Sequence, residues 1–164
     1  MTLKNNILWI FILALSITGC KKNIDKVELT SPDSLYAFNL AVKDDFAYSI
    51  NWNDIPIIEK SALGFQLSDG TLLLDSVDII NTERVLNNTK WQPVYGERNE
   101  YPDHYNEIIV HLKSADWQGE LALRVRAYNE GVAFRYEINS NGDLQIDKEL
   151  TEFTYPVDAN VWVS

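Results

Sequence analysis

The chain has 164 residues and a formal net charge of −10, with 24 acidic residues against 14 basic ones scattered along its length. A chain of this size forms about one domain and can bury a sizeable core without disulfides or a metal ion. The charge argues against nucleic acid as a partner, because phosphate binding needs a patch of basic residues. The acidic residues instead indicate a solubilising surface.

The amino terminus has the pattern of a bacterial lipoprotein signal peptide. Lys4 precedes an apolar stretch at residues 7–17, which is shorter than the roughly 20 residues that a membrane-spanning helix needs. The stretch ends in Ile17-Thr18-Gly19-Cys20, which resembles a lipobox. Cys20 is the only cysteine, so it can neither form an internal disulfide nor complete a metal site. Lipidation of Cys20 gives this residue a purpose.

We therefore predict a signal peptide over residues 1–19, a lipidated polar tether over residues 20–26 and a folded domain over residues 27–164. Stable anchoring takes more than one acyl chain, which lipoprotein processing supplies. We expect a protein anchored by lipid in the cell envelope of a Gram-negative bacterium. The sequence leaves open whether it faces the periplasm or lies at the outer membrane.

Within the domain, apolar residues alternate with a period of two, which predicts β-strands. Residues 35–42 and 47–52 flank the turn Lys43-Asp44-Asp45 and predict a hairpin. Pro56 marks an edge strand or an irregular join, because proline has no N–H to donate. Turn formers stand at Asn129-Glu130-Gly131 and Asn141-Gly142. Further strands are predicted over residues 63–67, 76–85, 106–112, 121–128, 132–138, 144–153 and 160–163.

Nine or ten short strands without an amphipathic helix predict an all-β fold, specifically an antiparallel β-sandwich. Residues 87–105 lack a clear pattern and are rich in Trp, Pro, Tyr and charge, so we predict a long loop there. Such a loop is usually functional or packs against another part of the protein. The last predicted strand runs to Trp162-Val163-Ser164, and because an edge cut there would leave backbone groups unpaired, we expect the domain to be incomplete at its carboxy end.

Three segments occur in a characteristic order and spacing, namely residues 91–98 (WQPVYGER), 103–107 (DHYNE) and 126–136 (RAYNEGVAFRY). Together they resemble the amino-terminal domain of glycoside hydrolase family 97, the bacterial α-glucosidases and α-galactosidases typical of glycan-degrading Bacteroidetes. The earlier Ser31-Pro32-Asp33 start fits the same domain, as does Pro56-Ile57-Ile58 with Leu63-Gly64.

The resemblance implies a three-part enzyme with an amino-terminal β-supersandwich of the galactose-mutarotase type, a central (β/α)₈ barrel and a small carboxy-terminal β domain. In such an enzyme the catalytic acid and base lie on the barrel, together with most ligands of a calcium ion. One glutamate of the amino-terminal domain is expected to join the calcium site from a position beyond Ser164. The resemblance therefore implies that the catalytic barrel is the partner of this chain, and that the chain alone is inactive.

Aromatic residues concentrate in the predicted loop, at Trp91, Tyr95, Tyr101 and Tyr105. Aromatic faces stack on sugar rings, and polar side chains beside them can bind the hydroxyls of an oligosaccharide. The alternative is that the same residues pack the sandwich against the missing barrel, which we favour. The candidates for either role are Trp91, Tyr95, Glu97, Arg98, Asp103, His104 and Tyr105.

The sequence predicts no catalytic residue and no metal ligand. Glycoside hydrolysis needs two carboxylates at a fixed separation, and the spacing of the acidic residues near the loop fixes no such pair. His104 with Glu97 or Glu107 would imitate the His and Glu of aldose mutarotases, but nothing in the sequence sets the geometry. His111 is predicted to point outward from a strand, and two histidines alone cannot make a three-histidine metal site. Arg126 and Arg135 flank a turn and are predicted to pair with neighbouring acids.

The resemblance thus implies a non-catalytic accessory domain of an α-glucosidase or α-galactosidase that acts on oligosaccharides, and the signal-peptide pattern predicts that this enzyme is exported. This domain would support the barrel or bind carbohydrate. One alternative is a freestanding carbohydrate-binding lipoprotein without hydrolase activity. Another is a purely structural lipoprotein of the envelope.

Overall fold

The computed structural model describes residues 24–43, 45–140 and 142–157, and within these ranges it contains ten β-strands and no helix. The strands are β1 (Lys26–Thr30), β2 (Tyr36–Ala41), β3 (Ala47–Trp52), β4 (Ile55–Ala62), β5 (Phe65–Leu67), β6 (Val77–Trp91), β7 (Tyr101–Ser114), β8 (Glu120–Tyr128), β9 (Gly131–Asn139) and β10 (Ile146–Glu149). Every pairing between them is antiparallel, so the predicted fold class is confirmed.

Several predicted features lie outside the described residues. They are the signal peptide, Cys20 and most of the tether, the turn residues Asp44 and Asn141, and the predicted strand at residues 160–163. Among the residues that the structure does describe, no helix has the length and apolar character needed to cross a membrane.

Two four-stranded sheets form the sandwich, one in the order β1-β2-β3-β4 and the other in the order β6-β7-β8-β9, and a small sheet pairs β5 with β10. β1 packs over β7 and β8, while β2 packs over β8 and β9. Strand β8 shows why the sheets stack, because its side chains alternate between the two faces. Leu121, Leu123, Val125 and Ala127 are at most 4% exposed and face the first sheet. Burying each large aliphatic side chain stabilises the fold by about 1.5–3 kcal/mol.

The short-range predictions hold in most places. β2 and β3 form the predicted hairpin, with Tyr36 opposite Trp52. Pro56 lies in β4, at the edge of its sheet, as its missing N–H requires. Asn129-Glu130 connects β8 to β9 as predicted. The strands predicted at residues 63–67 and 144–153 are shorter than expected, and β1 was not predicted because only two of its five residues are apolar.

The prediction of a loop over residues 87–105 is wrong. β6 and β7 pair without interruption from Arg84 opposite Ile108 to Trp91 opposite Tyr101, so only residues 92–100 are irregular. The sequence hides this hairpin because most of its side chains are exposed on both faces, which removes the apolar alternation that marks a strand. The backbone ladder between the two strands holds it together instead.

We expect the domain to lose stability at alkaline pH because of two tyrosines that pack in or against the core. Burial raises the pKa of Tyr48 and of Tyr136 to about 12, and their hydroxyls hydrogen-bond the Glu152 carbonyl at 2.8 Å and the Thr151 hydroxyl at 2.7 Å. A raised pKa means that the folded state favours the neutral phenol. The stability that the neutral phenols contribute is therefore complete below pH 10 and is lost as the pH rises towards 12. We expect the free energy of unfolding to fall by about 1 kcal/mol per pH unit for each tyrosine. Urea unfolding of the purified chain between pH 9 and pH 11.5 measures this free energy. In the Tyr136→Phe variant it should fall less steeply with pH. An equally steep fall in that variant would show that Tyr136 does not cause the loss of stability.

Candidate functional site

Most predicted site residues lie on one projection of the sandwich. β8 pairs with β7 only from Tyr105 to Leu112, so residues 88–91 and 101–104 pair only with each other among the described strands. We call residues 88–104 the arm. Its four residue pairs extend about 13 Å beyond the sheet, before the terminal loop at residues 92–100. The arm is therefore built by the backbone and carries side chains that face solvent on both sides.

Aromatic and apolar groups cluster at the tip of the arm. The rings of Trp91 and Tyr101 stack with centroids 5.1 Å apart, and Trp91 remains 53% exposed. In the terminal loop, Val94 and Tyr95 are 99% and 90% exposed. Lys90 and Glu100 form an ion pair of 2.6 Å just beside the stacked rings. Apolar groups presented in this way are typical of a contact surface.

The remaining candidates are spread along the arm. Glu97 and Arg98 are exposed in the terminal loop. Asp103 accepts hydrogen bonds from the Asn87 side chain, at 2.9 Å to its carboxylate and 2.7 Å to its carbonyl. His104 is exposed on β7, and since Glu107 lies three residues further along the same strand, the two side chains point to opposite faces. A mutarotase-like pair of His104 with Glu107 is thus not assembled.

Tyr105 is buried at the base of the arm and is 8% exposed. The Arg126 guanidinium lies 4.3 Å above its ring, and the Tyr128 ring lies 5.1 Å away. Burial raises the pKa of the Tyr105 hydroxyl, while the Arg126 charge opposes the rise. Tyr105 is therefore a packing residue that fixes the base of the arm.

Sequence reasoning largely missed an ion network on the outer face of β7, β8 and β9. Glu107 is 4% exposed and accepts hydrogen bonds of 2.6 Å from Arg124 Nη1 and from Arg126 Nε. Glu137 accepts bonds from Arg124 Nε at 2.7 Å and from Arg135 Nη2 at 2.8 Å. The predicted pairing of Arg126 and Arg135 with acids is confirmed, whereas the burial of Glu107 was not anticipated.

The network sets the charge states of its members. Hydrogen bonds from Arg124 and Arg135 hold the pKa of Glu137 below its usual value. Hydrogen bonding to Glu107 raises the pKa of Arg126, and bonding to Glu137 raises that of Arg124. Arg124, Arg126 and Glu137 are therefore charged at neutral pH, and their hydrogen bonds hold this polar surface in place.

No group of three or more His, Cys, Asp or Glu side chains suited to a metal ion occurs in the described part of the chain. His111 points outward as predicted and its Nε2 lies 2.9 Å from Glu83 Oε1.

Comparison with known proteins gives consistent results. Residues 29–164 match the family model described as Glycosyl-hydrolase 97 N-terminal. The chain is 25% identical over 130 residues to a retaining α-galactosidase of Bacteroides thetaiotaomicron, a match that covers 79% of this chain and 19% of that protein.

Solved structures show the same domain. A glycoside hydrolase family 97 enzyme from Pseudoalteromonas sp. strain K8, solved in complexes with panose and with acarbose, is 32% identical with a TM-score of 0.73, over 79% of this chain and 20% of that one. A β-arabinopyranosidase shares the fold at 24% identity and a TM-score of 0.71, over 79% of this chain and 21% of that one. The chain thus spans about a fifth of the length of the relatives it matches.

Proposed function

The chain belongs to glycoside hydrolase family 97, whose amino-terminal domain it matches, and on that premise we propose that it is the non-catalytic, barrel-supporting domain of an exported α-glycosidase that acts on oligosaccharides. The names of the relatives support an α-galactoside or an α-glucan oligosaccharide as the substrate class of the complete enzyme. Export rests on the signal-peptide pattern that ends at Cys20, which would hold the enzyme at the membrane of the cell envelope.

The observation that carries the proposal is the exposed tip of the arm. Val94 and Tyr95 are almost fully exposed, and Trp91 is half exposed although it is stacked on Tyr101. Leaving such groups in water forgoes about 25 cal/mol for each Å² of apolar surface that could be buried. A contact with the catalytic barrel would bury them, because contacts between domains of one chain combine apolar and polar groups in this way.

A second surface supports the same role. Along β3, β4 and the segment after β10, five large apolar side chains are 42–68% exposed, namely Trp52, Ile55, Phe153, Tyr155 and Val157. Tyr48 of β3 packs on Phe134 of β9, with ring centroids 5.1 Å apart, but these five side chains remain partly uncovered. An apolar face of this kind is expected to be covered by another part of the complete protein.

The two glutamates of the ion network favour a supporting role over a catalytic one. A general acid must be free to donate a proton to the leaving oxygen, with a second carboxylate across the scissile bond. Glu107 and Glu137 are each engaged by two arginines. Calcium remains our proposal for the complete enzyme, with most of its ligands supplied by the barrel.

A freestanding carbohydrate-binding lipoprotein is the second candidate. The stacked rings of Trp91 and Tyr101 favour it, since an exposed aromatic face can hold a sugar ring. This candidate requires saturable oligosaccharide binding that Trp91→Ala abolishes, whereas the barrel-supporting role does not.

Activity measurements test the proposed function. The purified chain should release no p-nitrophenol from p-nitrophenyl α-glucoside or α-galactoside, and turnover that co-purifies with the chain would contradict a non-catalytic role. A chimera in which this chain replaces the aligned fifth of the Pseudoalteromonas enzyme should fold and hydrolyse α-glucosides. A chimera with a cooperative melting transition but without activity would refute the supporting role.

A further inference from the structure

A groove on the outer face of β7, β8 and β9 lies at the end of the sheet away from the arm. The groove is open to solvent and has a volume of about 1100 Å³. Sites for small organic ligands occupy about 300–1,000 Å³, so this groove has room for an oligosaccharide. We define it by His111, Lys113, Trp117, Ala122, Glu137 and Asn139, which all line the cavity.

The depression in the sheet surface arises from one small residue. Ala122 stands directly opposite His111 on one side and Glu137 on the other. Side chains at such paired positions lie about 4.5–5.5 Å apart and stand up from the same face. Because Ala122 ends at its Cβ while both neighbours are long, the sheet surface is lower between them, and Ala122 itself is 9% exposed.

The polar walls of the groove are held in place by partners. Glu83 fixes His111 at 2.9 Å, Arg124 fixes Glu137 at 2.7 Å, and Asn139 donates to Glu120 at 3.1 Å. Side chains that are already ordered lose little entropy when a ligand binds. Their remaining donors and acceptors suit sugar hydroxyls, each of which both donates and accepts hydrogen bonds.

The charges that line the groove balance. Lys113 and Arg135 contribute two positive charges, and Glu120 and Glu137 contribute two negative ones. A surface with this balance has no preference for an anion or a cation, which favours a neutral ligand.

Trp117 gives the groove an aromatic wall. Its ring lies across the α-carbon of Gly119, where an added Cβ would overlap the six-membered ring of the indole. The ring also packs against the core cluster, which holds it in place, and Ile80, which lines the same groove, is 55% exposed. An aromatic ring next to ordered hydrogen-bonding groups is the combination that sugar recognition requires.

We propose that this groove is an oligosaccharide-binding site, separate from the arm and independent of any catalytic barrel. Its ligand class is a neutral oligosaccharide of two or three sugar units, held over Ala122 between the polar walls and Trp117.

Isothermal titration calorimetry with maltotriose and with raffinose tests the proposal. The full chain is purified for it in a non-ionic detergent that carries no sugar. We expect saturable binding of at least one of them with a Kd in the millimolar range. Ala122→Leu fills the floor of the groove and should weaken binding at least about tenfold. Ala133→Leu is the matched control, because Ala133 lies on the same outer face of the sheet as Ala122 but outside the groove. This substitution should leave the Kd unchanged.

Three results would overturn the proposal. The first is that neither trisaccharide binds. The second is that the Ala122→Leu variant binds as the wild type does and has an unchanged melting temperature. The third is that trigalacturonate binds equally well, which would remove the argument from charge balance. Sensitivity to Trp91→Ala instead of Ala122→Leu would move the sugar site to the arm. None of these results bears on support of the barrel, which the chimera tests separately.

Discussion

Replacing Glu107 by alanine should destabilise the domain by about 3 kcal/mol. The carboxylate is 4% exposed and binds Arg124 and Arg126 at 2.6 Å each, so its removal leaves two guanidinium groups without their shared partner. Breaking a buried ion pair by removing one side costs about 3–5 kcal/mol. We expect the lower end of this range, because the two arginines are 22% and 37% exposed and water can reach them.

Urea unfolding at pH 7 of the wild type and of two variants measures this effect. Glu83→Ala is the matched control, since it also removes a glutamate that pairs across strands, but this glutamate is 55% exposed. Exposed pairs contribute only about 0–1 kcal/mol. A Glu107→Ala variant no less stable than Glu83→Ala would mean that the network contributes nothing to the fold.

Glu107 also shows what a single sequence conceals. Strand alternation places residue 107 on the outer face of β7, where an acidic residue is expected to be exposed. It is buried because Arg124 and Arg126, two residues apart on the neighbouring strand, fold over it from one side. The arginine pattern in β8 is visible in the sequence, but the register between β7 and β8 is not, and only the register brings Arg126 opposite Glu107.

The groove also depends on strand register, which the sequence does not show. Nothing in the sequence distinguishes Ala122 from other alanines. Its position between His111 and Glu137 depends on the β7–β8 register and on the β8–β9 register. The sandwich itself was predictable, because each strand of its core carries its own alternation. The groove depends on the registers between three strands, and the arm is exposed on both faces, so neither carries the apolar alternation by which a strand is recognised in the sequence.

The second large effect is expected when the tip of the arm is removed from the complete enzyme. Trp91 and Tyr101 form the last residue pair of the hairpin, so residues 92–100 can be replaced by Asn-Gly, the preferred two-residue turn. In the isolated chain the free energy of unfolding should change by less than about 0.5 kcal/mol, because the deleted residues are exposed on the surface.

In the chimera with the Pseudoalteromonas enzyme, we expect the same deletion to lower kcat/KM for panose, the trisaccharide bound in a solved complex of that enzyme, at least about tenfold. This corresponds to a loss of about 1.4 kcal/mol of transition-state stabilisation. A loop of the original length with Val94→Ser and Tyr95→Ser separates the loss of apolar contact from the loss of length. If the barrel buries the tip, this double variant should show most of the effect. Full activity in both variants would mean that the arm does not contact the barrel, and the exposed aromatic residues would then have to be explained by the carbohydrate-binding alternative.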